Sequence, residues 1–169
     1  MTQIAADPSL PLSPHDHHSC ASDALAHAEA VCESRNKRLT ENRRAVLKLL
    51  LDDHRALGAY EILRRFDWGG RSRAPVQVYR ALDFLESMGL VHRVASSNAY
   101  VACYRLAERH GAMLFVCKAC GIVMECEELE LQDMMDKLAR KSGFTVHSQL
   151  LEAAGYCPSC AEAAESINP

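Results

Sequence analysis

The chain lacks any apolar run long enough to cross a membrane, and its N-terminus, MTQIAADPSLPLSPHDHHSC, has neither the basic start nor the apolar core of a signal peptide. An integral membrane protein and a secreted one are therefore not expected; the cytoplasm is. An excess of positive charge is also missing, since the 169 residues sum to −3, which taken alone argues against a nucleic-acid partner. No P-C-x-x-C follows an H-x-E, so the sequence does not read as a zinc deaminase. Nor does it offer the three ligands, open position and nearby general base that a zinc hydrolase needs, and it reads as no enzyme.

What is present alters the first impression of the charge. Residues 35–93 carry 13 Lys and Arg against 7 Asp and Glu, whereas residues 1–34 and 94–169 are both acidic. A basic segment inside an acidic chain marks a docking face for a polyanion. Nearly half of the residues are apolar, enough for one good core or two small ones. Eight cysteines in a reducing compartment point by their spacing to metal rather than to disulfides.

The Pro/Ser-rich residues 1–21 are expected to be disordered. Ser22 is placed to cap an Ala-rich helix to about residue 33, and Thr40 a second over 41–53 with Val46, Leu47, Leu50 and Leu51 inward. A short third helix covers 59–66, with Tyr60 near its start. Pro75 suits the first turn of a fourth over 76–88, which Gly89 ends. On that helix Val78, Leu82, Leu85 and Met88 form the core stripe, while Gln77, Arg80 and Asp83 project toward the basic surface.

Residues 90–94 and 100–106 follow at once as two strands around a polar turn. Helices followed by a hairpin is the order of a winged helix-turn-helix, in which the hairpin closes the core and the last helix is free to enter a major groove. Arg80 can then donate twice to a guanine edge, with Arg43, Arg44, Arg64, Arg71 and Arg73 near phosphates. Double-stranded DNA is the expected partner, with no membrane and no small-molecule substrate.

The same hairpin carries candidate ligands. With Ser97-Asn98 as a two-residue turn, Val94 lies opposite Val101 and His92 opposite Cys103, and opposed Cβ atoms are about 4.5–5.5 Å apart. His and Cys are ligands that zinc prefers, and two further candidates follow: His110, where the chain leaves the hairpin, and Glu125, in the next hairpin.

The second half, from Ala112, reads as strands over 112–117 and 122–126 and a helix over 127–142, with Leu129, Met134, Met135 and Leu138 inward. A third strand is expected over 144–153. Cys117-x-x-Cys120 closes the hairpin and Cys157-x-x-Cys160 follows the third strand. Two such knuckles supply four thiolates for a closed structural zinc site tying together the ends of a small domain. A redox reading of Cys157-Pro158-Ser159-Cys160 would need an exposed low-pKa thiol.

The phrases RLTENRRAVLKLL, AYEIL, VYRALDFLESMGLVHRV, FVCKACGIVMEC and GYCPSC together resemble the ferric uptake regulator superfamily, over about residues 22–160. The resemblance implies an α+β protein: a winged helix-turn-helix DNA-binding domain over 22–106, a hinge over 107–111 and an α/β dimerisation domain over 112–169 with the four-cysteine zinc site. It implies a metal-dependent homodimeric repressor with Tyr60, Tyr79 and Arg80 at the DNA. Gln77 stands where the family phrase usually has Thr, so the operator sequence is not carried over. Iron-sensing relatives place a His-rich run before the first C-x-x-C; here Glu108 to Met113 contains one His. The zinc-sensing members are more similar, matching at His92, Cys103, His110 and Glu125. That implies a regulatory zinc on those four residues beside the structural one, two zincs per chain, and repression of zinc-uptake genes; an iron or peroxide sensor is the alternative.

Overall fold

The computed structural model describes residues 17–69, 74–104, 112–126, 129–147 and 149–167. Helix α1 (His17–Ser34) begins five residues before the expected cap at Ser22, so 17–21 are helical rather than part of the tail. Its Ala24, Ala28 and Cys32 recur every fourth residue and are all buried. Asn36 at φ 51° ends it, with Lys37 N–H on Cys32 C=O at 2.8 Å and Asn36 N–H on Glu33 C=O at 3.0 Å, the paired bonds of a Schellman turn.

Helix α2 (Glu41–Leu51) buries the four residues expected of it. Thr40 stands at its N-cap, but the side chain makes no cap bond; its carbonyl accepts from Arg44 N–H at 2.9 Å. A two-residue strand β1 (Leu57–Gly58), which the sequence did not betray, precedes α3 (Ala59–Arg65). Helix α4 (Pro75–Ser87) opens on Pro75, and Gly89 at φ 73° closes it through Gly89 N–H to Glu86 C=O and Leu90 N–H to Leu85 C=O, both 2.9 Å. Val78, Leu82, Leu85 and Met88 are buried as the helical spacing required.

Strands β2 (Val91–Val94) and β3 (Ala99–Ala102) form the hairpin, and β1 pairs with β3 on its other edge. The turn is a four-residue loop, 95–98, with Asn98 at φ 48°, rather than the expected Ser97-Asn98 pair. The register is consequently His92 opposite Val101 and Val94 opposite Ala99. Leu90 C=O, not His92, meets Cys103, accepting its N–H at 3.0 Å. The slip is two residues, and side chains alternate with period two, so His92 and Cys103 still share one face.

Every residue of β3 is buried because the hairpin is covered on both sides. Val91, Tyr100 and Ala102 face the core of α1–α4, whereas Val94 and Val101 belong to a second core with Leu114, Val116 and Val123. That second core belongs to a sheet of order β5-β4-β6, made of β4 (Ala112–Cys117), β5 (Val123–Cys126) and β6 (Leu150–Gly155). The winged half and the sheet thus share a layer. They are also joined in the main chain, where Arg55 bridges Ile122, Val123 N–H reaches His54 C=O at 2.8 Å and Ala56 N–H reaches Gly121 C=O at 3.2 Å.

Two expectations for the second half need correction. The third strand is β6, six residues later than its expected start, because Gly143 at φ 68° ends α5 (Leu129–Ser142) in a Schellman turn and leaves Phe144 exposed. Leu129, Met134 and Leu138 do not point inward but are 67 %, 57 % and 55 % exposed, and Met135 is half-buried. The amphipathic pattern was real; what it faces is not the chain's own core. Helix α6 (Pro158–Ile167) ends the described chain.

Candidate metal centres and nucleic-acid surface

The parallel pairing of β4 with β6 runs from Ala112 opposite Leu150 to Cys117 opposite Gly155. Parallel strands end at the same edge, so Cys117 at the end of β4 and Cys157 just past β6 arrive side by side. Gly121 at φ 74° turns the first knuckle, with its N–H on Cys117 C=O at 2.9 Å. Pro158 begins α6, so Cys160 comes back toward Cys157, whose C=O accepts Cys160 N–H at 3.0 Å. All four sulfurs lie within 4.8 Å of one another, and Cys120 Sγ is 3.9 Å from Cys157 Sγ. Sulfurs about 2.3 Å from a tetrahedral zinc stand about 3.8 Å apart, so the donor set and spacing fit that ion.

The electrostatics of the cluster favour a cation. Backbone N–H groups of Cys120 and Cys157 aimed at Cys117 Sγ lower that thiol to about 6, the Cys157 N–H lying 3.4 Å away. Hydrogen bonding with Cys157 and Cys120 pushes the Cys160 thiol up to about 12, so that group resists ionising. Negative charge accumulating on four thiols needs a positive partner at their centre.

The second cluster lies in the seam between hairpin and sheet. Leu114 pairs with Glu125 across β4 and β5, which points the Glu125 carboxylate toward the hairpin face that carries His92 and Cys103. Glu125 Oε1 is 3.1 Å from His92 Nε2 and accepts from Cys103 Sγ at 3.5 Å, while Oε2 accepts Tyr104 N–H at 3.3 Å. The side chains of His92 and Glu125 are 14 % and 9 % exposed, and Cys103 is buried. These three donor atoms also fall within 4.8 Å of one another. An imidazole, a thiol and a carboxylate in one nearly dry pocket are borderline-soft zinc donors. His110 and the expected hinge over 107–111 lie outside the described residues. Beside the cluster the Tyr104 ring rests on His54, centroids 4.2 Å apart, and burial pushes the Tyr104 hydroxyl upward.

The surface of α3 and α4 carries the residues expected at DNA. Tyr60 is 86 % exposed, and Gln77, Tyr79 and Arg80 are exposed on the opening turns of α4. Gln77 Oε1 accepts from Asn42 Nδ2 at 3.0 Å, a link to α2 that the sequence did not betray. Not every expected phosphate contact is free. Arg44 is ion-paired with Glu29, and Arg43 donates to Arg38 C=O and stacks 3.3 Å above the Phe84 ring. Arg71 and Arg73 lie outside the described residues. Cys32, outside both clusters, is a core residue.

A winged helix sharing a layer with a small α/β unit, thiol knuckles at one edge and a mixed N/O/S cluster in the seam define a metal-responsive DNA-binding regulator. The chain belongs to the ferric uptake regulator family, whose model matches residues 34–154. It is similar to the zinc uptake regulation protein of Escherichia coli (strain K12), 40 % identical over 149 residues, which cover 87 % of this chain and 86 % of that protein. Among solved structures it is similar to a zinc uptake regulator complexed with zinc and DNA, at TM-score 0.79 and 38 % identity over 86 % of this chain and 97 % of that one. Holo XcZur is similar as well, at TM-score 0.73 and 36 % identity over 84 % and 99 %.

Proposed function

We propose that this protein is a zinc-responsive transcriptional repressor that acts in the cytoplasm, binds near-palindromic operators as a zinc-loaded homodimer and silences zinc-uptake genes. The observation that carries this reading is the convergence of His92 and Cys103 from the hairpin with Glu125 from the sheet. The similarity to regulators named for zinc uptake, one of them solved with zinc and DNA, supports it. A thiol among the donors disfavours an iron or peroxide sensor, which would use harder ligands.

Two zincs per chain are assigned. One is held by Cys117, Cys120, Cys157 and Cys160 and is structural; the other is held by His92, Cys103 and Glu125, with His110 proposed as the fourth ligand, and is regulatory. When bound, the second ion supplies a cross-link between winged half and sheet. Glu125 grips the hairpin through His92, Cys103 and Tyr104 N–H, so ordering this carboxylate orders the wing and α4 with it. Driving a mostly open population to mostly closed takes about 5.5 kcal/mol of differential binding, well within the roughly 10–16 kcal/mol of zinc sites in small peptides.

The second copy has a place to dock. Phe115 on the sheet face away from the hairpin, with Met134 and Leu138 on α5, is exposed apolar surface of the kind a homodimer covers. Leu138→Lys is expected to shift the zinc-loaded protein from dimer to monomer at micromolar concentration in sedimentation, while its zinc content stays at two; an unchanged dimer would place the interface elsewhere. At the DNA surface, Arg80→Ala is expected to lose about 1–3 kcal/mol of operator binding, roughly five- to 150-fold, with zinc content and fold unaltered. The reading as a whole is tested by counting metal per chain and titrating operator binding against free zinc. Operator binding that ignores zinc would refute it.

A further inference from the structure

The sheet presents two carboxylates to the hairpin. Leu114, fully buried at the centre of the second core, is paired with Glu125 on one side and Glu152 on the other. Residues in register share a face, so both carboxylates flank Leu114 on the surface that meets the wing. Glu125 reaches the base of the hairpin at His92 and Cys103. Glu152 reaches its tip: its Oε2 accepts Ala95 N–H at 2.8 Å and Ser96 N–H at 3.4 Å, and its Oε1 accepts Ser96 N–H at 3.1 Å.

Two successive backbone N–H groups converging on an anion make a small nest, here built by the four-residue turn. The αL conformation of Asn98 closes that turn, and its Oδ1 accepts from Arg93 at 2.8 Å, so the turn's shape is held from the other side too. Glu152 is the lone charge in the strand LLEAAG, and among the described residues neither a Lys nor an Arg forms an ion pair with it.

We infer that Glu152 is a positioning residue, a second fastening of the wing tip to the sheet that uses no metal ligand and biases the molecule toward its closed, DNA-competent arrangement. This rests on the reading of the protein as a zinc-responsive DNA-binding regulator. A hairpin pinned only at its base by the metal cluster can pivot about that base. Pinned at both ends, it carries α4, which it follows directly through Gly89, in one orientation. Because the clamp favours the same state that zinc favours, it lowers the zinc concentration needed to reach that state, and its removal shifts zinc binding and operator binding together.

The test uses the full-length protein with the four-cysteine zinc in place. Glu152→Ala is expected to raise the free zinc for half-maximal operator binding about fivefold, the lower end of ordinary coupling between sites. Glu152→Gln, which keeps one acceptor oxygen, is expected to fall between the two. In wild type, the amides of Ala95 and Ser96 are expected to exchange slowly with solvent deuterium when the regulatory site is filled and faster when it is empty. The readouts separate the two ideas: wild type that ignores zinc refutes the regulator reading itself. A zinc-responsive wild type with an unshifted Glu152→Ala midpoint refutes the clamp alone. Should Glu152→Ala fail to fold, the Glu152→Gln midpoint and the wild-type amide exchange decide, and fast exchange at both amides in the zinc-loaded protein refutes the clamp.

Discussion

Cys157→Ser is expected to reduce bound zinc from two to at most one per chain and to unfold the second half of the molecule. Slow amide exchange across β4, β5 and β6 should disappear and the dimer should dissociate. The size of the effect follows from what else holds that half together. Among the described residues its own buried apolar side chains are few, chiefly Leu114, Val116 and Val123, and no residue of α5 is buried. A core of that size does not sustain a domain by itself, whereas a structural zinc contributes on the order of 10–16 kcal/mol in small peptides. Damage should spread to the wing, because Gly121 and Ile122, just past the first knuckle, carry the main-chain bridge to Arg55 and Ala56. The retention of this zinc should depend on pH in a definite direction. Cys117, lowered to about 6, is ionised at neutral pH, but Cys160, pushed up to about 12, holds its proton until a cation displaces it. Binding therefore releases protons, and acid favours the protonated, metal-free form, by about tenfold per pH unit for each proton released. Zinc held equally well at pH 5 and pH 8 against a chelator would contradict thiolate ligation.

Cys103→Ser is expected to leave the four-cysteine zinc in place and remove the other. A hydroxyl is a far poorer zinc ligand than a thiolate, so zinc affinity at the seam should fall by more than the roughly 10–100-fold typical of losing an outer partner. Operator binding should then cease to respond to zinc across the range where wild type switches. Glu125→Ala should be worse, because the same carboxylate also accepts Tyr104 N–H and contacts His92, so the seam loosens even before metal is considered. A Cys103→Ser protein that still carries two zincs and represses normally would dismiss the seam cluster as the sensor. His92→Ala offers an independent check, since it removes a ligand from the opposite strand while sparing the Glu125–Tyr104 bond.

Much of the fold was legible from local pattern. The apolar stripes of α2 and α4, the helix stop at Gly89 and the strand-turn-strand around Cys117-x-x-Cys120 rest on interactions between residues close in sequence, so spacing and residue type suffice to place them. The hairpin register was not legible, because a four-residue loop and a two-residue turn satisfy the same residues, and the expected pairing of His92 with Cys103 was lost, yet the two still share one face. A slip of two residues preserves parity; a slip of one would have sent the thiol into the helical core.

By itself the sequence determined which side chains have the chemistry to be metal ligands, where the basic helices lie, and that α5 has one apolar face. Only the tertiary structure decided what each of these meets. The parallel placing of β6 on β4 sets the two knuckles together, the burial of the hairpin on both sides brings Glu125 to His92 and Cys103, and the same layer gives Glu152 the wing tip. The direction of the α5 stripe, outward rather than inward, was likewise settled by how the sheet's faces were shared out. The reason is physical: periodicity records that a face avoids water, while which surface covers it depends on contacts between residues distant in the chain, on which local pattern carries no information.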